Sequence, residues 1–132
     1  MTHGQSPVRP YGSWASPLSP EALAGASLRI GEVITDRDTI YWAEGRPTEG
    51  GRGVVVTRNA DGSHRDVTPT DSNVRTLVHE YGGGAWTVAG GVVFHVELTD
   101  QQVHATDASG TRQITDEAGS RFADLRCPKA RT

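Results

Sequence analysis

The sequence predicts an all-β fold: two four-stranded antiparallel units preceded by one short helix. Three observations carry that prediction. Glycine supplies 16 of 132 residues while aromatics make up only 6%, a balance that favours many tight turns over long helices. From Leu28 onward, short β-branched or aromatic runs alternate with polar or glycine-containing turns. The second half then repeats the order of the first: Arg65-Asp66-Val67-Thr68 matches Arg112-Gln113-Ile114-Thr115 at an offset of 47, and Gly62 matches Gly110 at 48.

Residues 1–27 read as an extension. Met1 to Ser16 is rich in Pro, Gly and Ser and is expected to be extended, whereas Ser19-Pro20-Glu21-Ala22-Leu23-Ala24-Gly25 carries helix signals. Ser19 is the N-cap, Pro20 takes the first helical position, Glu21 lies in the first turn and Gly25 stops the helix. The first unit, 28–70, opens with Leu28 to Ile34, turns at Asp36-Arg37-Asp38 and continues with Thr39 to Glu44. Gly45 to Gly53 is a loop, Val54 to Thr57 is apolar enough to lie between neighbours, and Asp61-Gly62 marks a hairpin into Ser63 to Thr68. Residues 71–84 connect the units. The second unit, 85–117, holds strands at Ala85 to Val88, Val92 to Leu98, Gln102 to Thr106 and Thr111 to Thr115, with turns at Gly90-Gly91, Asp100-Gln101 and Ser109-Gly110. In 118–132, Arg121 to Leu125 reads as the start of a third unit, followed by a polar, proline-broken tail.

A four-stranded unit recurring at this period is the mark of a β-propeller blade. A plain antiparallel sandwich has the same strand spacing, so the repeat alone leaves both open. As a propeller the chain is incomplete, because rings close with about 4 to 8 blades. Strand edges left open would pair with another copy or with a partner strand.

Composition excludes several function classes. A net charge of −3 and a pI near 5.9 give no general attraction to phosphate backbones or anionic membranes, so neither nucleic acid nor membrane is expected as a partner. The single cysteine, Cys127, has no internal partner for a disulfide. Met1 to Pro10 lacks the apolar core of a signal peptide and no run reaches membrane-spanning length, which predicts a cytoplasmic protein.

The chain is organised around Asn73-Val74-Arg75-Thr76-Leu77-Val78-His79-Glu80-Tyr81-Gly82-Gly83-Gly84-Ala85-Trp86, where a charged and aromatic cluster abuts three consecutive glycines. Glycines are kept together where the backbone needs positive φ or where something approaches the main chain closely. The plain reading is a tight turn between strands; the functional one makes Arg75, His79, Glu80 and Tyr81 a contact site, with Glu44, Arg46 and Glu49 as a second cluster on the loop after an aromatic strand. An arginine and a carboxylate on such loops could hold a peptide terminus or bridge to another domain, against the alternative of an ion pair such as Arg75 with Glu80. No serine stands in Gly-x-Ser-x-Gly, so a nucleophile elbow is absent from these residues. His3, His64, His79, His95 and His104 lack metal-site spacing; His95 and Glu97 share a strand face but read as solvated positions, so no metal or cofactor is expected. Trp14, Trp42 and Trp86 read as packing residues.

Four motifs in order resemble the start of prolyl oligopeptidase family serine peptidases, most closely the dipeptidyl aminopeptidase and acylaminoacyl peptidase branch. They are Tyr11-Gly12-Ser13-Trp14 with Ser16-Pro17-Leu18-Ser19, Tyr41-Trp42-Ala43-Glu44-Gly45-Arg46-Pro47 with Glu49-Gly50-Gly51-Arg52, Asp66-Val67-Thr68-Pro69, and Asn73-Val74-Arg75 with Val78-His79-Glu80-Tyr81-Gly82-Gly83-Gly84. The resemblance spans about Tyr11 to Leu125. It implies an N-terminal propeller that screens oligopeptides before an α/β-hydrolase domain bearing a Ser-Asp-His triad, with this chain covering the extension and first two blades. No catalytic residue carries over to any position here, and the chain is expected to be inert in isolation, with peptide a partner only of the full-length parent. Phe94 to Gln101 departs from the family's pattern, and Arg126 to Thr132 does not continue a third blade, which implies a truncated reading frame. A free-standing β-sheet interaction module is the alternative, and an unusual hydrolase site around His79 and Glu80 a further one.

Overall fold

A computed structural model describes residues 8–13, 15–20 and 27–128. It holds two four-stranded antiparallel sheets, so the all-β expectation holds. Of the helix expected over Ser19 to Gly25, residues 21–26 lie outside the described residues, as do His3, Trp14 and the last four residues. No helix among the described residues is long and apolar enough to cross a membrane.

The first sheet runs β1 (Arg29–Asp36), β2 (Thr39–Arg46), β3 (Arg52–Arg58) and β4 (His64–Asp66), each pairing with the next in sequence. The second repeats the meander with β5 (Trp86–Ala89), β6 (Val92–Val96), β7 (Val103–Asp107) and β8 (Gly110–Gln113). The loop expected from Gly45 to Gly53 is shorter than its composition suggests. Gly45 pairs with Gly53 and Arg46 with Arg52, so the ladder continues until a single 3-10 turn, Pro47–Glu49, reverses the chain. Glycine at 50 ends that turn in the left-handed region at φ 70°.

The sequence repeat corresponds to a repeated hydrogen-bonding device. In the first sheet Val67 N donates to Val55 O at 2.8 Å and Val55 N donates to Thr68 Oγ1 at 3.2 Å. In the second, Ile114 N donates to Val103 O at 2.9 Å and Val103 N donates to Thr115 Oγ1 at 2.9 Å. A side-chain hydroxyl thus takes the place of a ladder carbonyl where each outermost strand peels away. The hairpins before these strands also match: Asp61 Oδ1 accepts from Ser63 N and Oγ at 2.9 and 2.6 Å, and Asp107 Oδ1 from Ser109 N and Oγ at 2.8 and 2.5 Å. Donation by Ser109, reinforced by Arg112, holds the Asp107 carboxyl down at about 2.

The sheets bury one face each against the other. Tyr41 and Val55 from the first meet Trp86, Val88 and Val93 from the second, with Ile34, Ala43, Val67 and Val74 packed around them. Removing each of the five from water contributes about 2 kcal/mol. Asp36 Oδ2 accepts from Gly91 N at 2.7 Å, tying the β1–β2 turn to the β5–β6 turn. The connection then threads between the sheets: Val74 N donates to Gly53 O at 2.9 Å and Arg75 N to Val96 O at 3.1 Å. A Cβ at residue 53 would collide with the Val74 carbonyl, which accounts for glycine there.

His95 and Glu97 are not solvated strand positions. His95 is fully buried, its Nε2 3.1 Å from Thr106 Oγ1, and burial with nearby His104 pushes its pKa down to about 4. The buried Glu97 carboxylate accepts from Ser72 Oγ at 2.5 Å and from the backbone amides of Asn73 and Leu98, fixing the connection. Arg121 to Leu125, read as the start of a third unit, forms no strand. It runs along the glycine triplet instead, with Leu125 N donating to Gly84 O at 3.2 Å and Thr76 Oγ1 to Phe122 O at 2.6 Å.

Candidate functional site

The first cluster is a closed ion network. Arg46 forks onto Asp66 through Nη1 at 2.6 Å and Nη2 at 2.7 Å, and turns its other edge to Glu44 through Nε at 3.0 Å and Nη2 at 2.8 Å. Glu44 also accepts from Trp42 Nε1 at 2.8 Å. Arg52, directly across the ladder from Arg46, binds Glu49 at 2.6 Å and donates to the Pro69 carbonyl. Two adjacent guanidiniums are thereby held among three carboxylates. Asp66's hydrogen bonds raise the Arg46 pKa further, and Arg46 in turn lowers that of Asp66 against the opposing effect of burial. Asp66 and Arg52 had no place in the sequence-based cluster, because their partnership depends on strand register rather than spacing.

The second cluster is split. Glu80 pairs with Arg121 at 2.8 Å, not with Arg75; the same Arg121 Nη1 donates to Leu77 O at 2.8 Å. Arg75 is exposed and makes no ion pair among the described residues. His79 and Glu80 both adopt left-handed backbone, φ 55° and 66°, which costs about 1 kcal/mol each for non-glycine residues. Gly82, Gly83 and Gly84 follow at φ 73°, 124° and 58°. At Gly84 a Cβ would lie 2.7 Å from Asp124 Cα, so this glycine meets both the conformational and the close-approach requirement. The turn projects Tyr81, 86% exposed, with its ring stacked toward His79 at 6.3 Å.

Both clusters border a cleft of about 460 Å³ between the sheets. Glu44, Arg75 and Tyr81 line it, together with Arg29, Glu32 and Trp86 and a series of glycines; Arg46, His79 and Glu80 do not. Arg29 and Glu32 are set there by the start of β1, which bulges between Ile30 and Val33. Trp86 is 3% exposed and its Nε1 has no hydrogen-bond partner. Among the described residues no group of three His, Cys, Asp or Glu side chains gathers as a metal site. One hydroxyl–imidazole pair exists, Thr106 with His95, but both are buried and His95 Nδ1 has no acid to orient it.

No protein-family model matches the chain, and no curated protein does. Two solved structures do. The Mycobacterium tuberculosis puromycin-hydrolyzing peptidase is 34% identical over 88% of this chain with a TM-score of 0.72, and a puromycin hydrolase is 32% identical over 80% with a TM-score of 0.63. The chain belongs with the N-terminal propeller regions of the prolyl oligopeptidase family. It spans 19% and 17% of the lengths of those two proteins. In the prolyl oligopeptidase frame each sheet is a propeller blade, which resolves the choice between propeller and sandwich. The cleft accordingly lies between the first and second blades, beside the edge strands β1 and β5.

Proposed function

We propose that these residues serve as propeller scaffold of a serine peptidase, screening oligopeptides on their way to a catalytic centre carried elsewhere, and cut no peptide bond by themselves. The observation that carries this reading is the match of 80–88% of the chain to about a fifth or less of two peptides-processing enzymes, both named for hydrolysis of puromycin. The residues here agree with it. No serine hydroxyl among the described residues is hydrogen-bonded to a histidine, and the one threonine that is lies out of reach of a substrate. The test is turnover of aminoacyl and acyl-peptide p-nitroanilides by the purified chain. Rates equal to the buffer blank are expected; turnover that persists through successive purification steps and is stopped by a fluorophosphonate overturns the reading.

A free-standing interaction module is the second reading. It is favoured by an apolar groove on the outward face of the first blade, where Leu28, Ile30, Val33 and Ile40 are 43–58% exposed beside Trp42. A discrete dimer or larger assembly in light scattering supports the module; a monomer removes it.

A further inference from the structure

We infer that the cleft between the two blades binds the C-terminal carboxylate of a peptide through Arg29 and Arg75. Both guanidiniums line the cleft and neither makes an ion pair among the described residues. Contrast Arg46, whose donors are already committed to Glu44 and Asp66 and which lies outside the cleft. The planar fork of arginine matches a carboxylate in a way a point charge does not. A second donor is present independently of the arginines: the Trp86 indole lines the same cleft, almost wholly buried, with its N–H unsatisfied. A buried N–H without an acceptor is uncommon, and a ligand oxygen would satisfy it.

The walls suit a peptide rather than a small inorganic anion. Glycines at 31, 45, 51, 83 and 84 leave backbone exposed where side chains would fill the space, and about 460 Å³ accommodates several residues. The unpaired edge of β1 runs beside them for an extended chain to follow. Tyr81 is held out at the rim by strained backbone, in position to cover an apolar side chain. Two carboxylates also line the cleft. Glu44 is neutralised by Arg46, while Glu32 makes no ion pair among the described residues and disfavours a ligand with several negative charges. A single terminal carboxylate on an otherwise neutral or basic peptide fits this arrangement.

That the carboxylate belongs to a peptide rests on the proposed function; the site itself rests on the arginines and the indole. Fluorescein-labelled Gly-Ala-Ala-Ala-Phe, as free acid and as C-terminal amide, is titrated with the full chain and followed by anisotropy. A third probe, the amide with glutamate in place of the central alanine, separates a side-chain carboxylate from a terminal one. The free acid is expected to bind at least about fivefold more tightly than either amide, an effect of the size a partly exposed fork provides. That gap is expected to vanish in Arg29→Gln/Arg75→Gln, and the Trp86 indole N–H resonance to move with the acid alone. Both arginines are exposed, so the variant's amide spectrum should stay dispersed. Equal affinity for acid and amide, a gap that survives the double substitution, tighter binding of the glutamate amide, or no binding by a chain with a dispersed spectrum each overturns the inference. None of these outcomes touches the scaffold reading, which stands or falls on turnover.

Discussion

Arg46→Met tests whether the ion network holds the first blade together. The substitution keeps the aliphatic stem and removes both forks at once, the pair to Asp66 at 2.6 and 2.7 Å and the pair to Glu44 at 2.8 and 3.0 Å. The heavier loss is at Glu44, 8% exposed, whose carboxylate is left with Trp42 Nε1 alone. Stripping the cation from a fully buried pair costs about 3–5 kcal/mol, and breaking an exposed pair under about 1. The Arg46 side chain is 18% exposed and that of Asp66 34%, which places the expected cost between those limits. About 2–3 kcal/mol at pH 7 follows. Urea unfolding followed by tryptophan fluorescence reads it directly, since Trp42 sits in the network. The pH dependence supplies an internal check. Asp66's carboxyl is held below its ordinary 3.8 chiefly by Arg46, so its contribution is present above that value and fades as pH falls through the folded one. The difference between wild type and Arg46→Met should therefore shrink below about pH 4. A cost under about 0.5 kcal/mol, or a difference that does not change between pH 7 and 3, refutes the reasoning.

Two further outcomes are expected. Burial, with His104 nearby, lowers the His95 pKa from 6.5 to about 4, so the unfolded chain takes up a proton first as pH falls. Stability should decline between those values by at most about 3 kcal/mol, and His95→Gln should flatten that slope in urea midpoints measured from pH 7 to 4. Gly84→Ala places a Cβ 2.7 Å from Asp124 Cα at φ +58°, whereas Gly50→Ala, at φ +70°, meets nothing within 4 Å. Trypsin should cut after Arg121 or Arg126 about tenfold faster in the first variant and within about twofold of wild type in the second, because only the first dislodges the 121–125 segment.

Legibility followed the range of the interactions. Strand order and turn positions were readable because they depend on local alternation and on Asp, Ser and Gly at fixed offsets, and the matched hairpins at Asp61 and Asp107 show that chemistry twice. The role of the glycine triplet was readable in kind but not in partner: Asp124 approaches Gly84 from 40 positions further along. The site was less legible for the same reason. Arg46 and Glu44 looked available because their partner Asp66 sits across two strands, and Glu80 was matched with Arg75 because they are near in sequence, whereas Arg121 reaches it through the fold. Arg29 offered no signal at all, since only the sheet-to-sheet approach sets it beside Arg75. His95 and Glu97 passed for surface residues because alternation does not tell which side of a strand a neighbouring loop will cover.

The hydroxyls of Thr68 and Thr115 have a consequence for how such an architecture grows. By accepting the last inner amide themselves, they let the backbone leave its neighbour without stranding a donor, so the following residues answer to no fixed pairing. Each module can thus be lengthened, shortened or rejoined downstream of its threonine while its own hydrogen bonding stays complete.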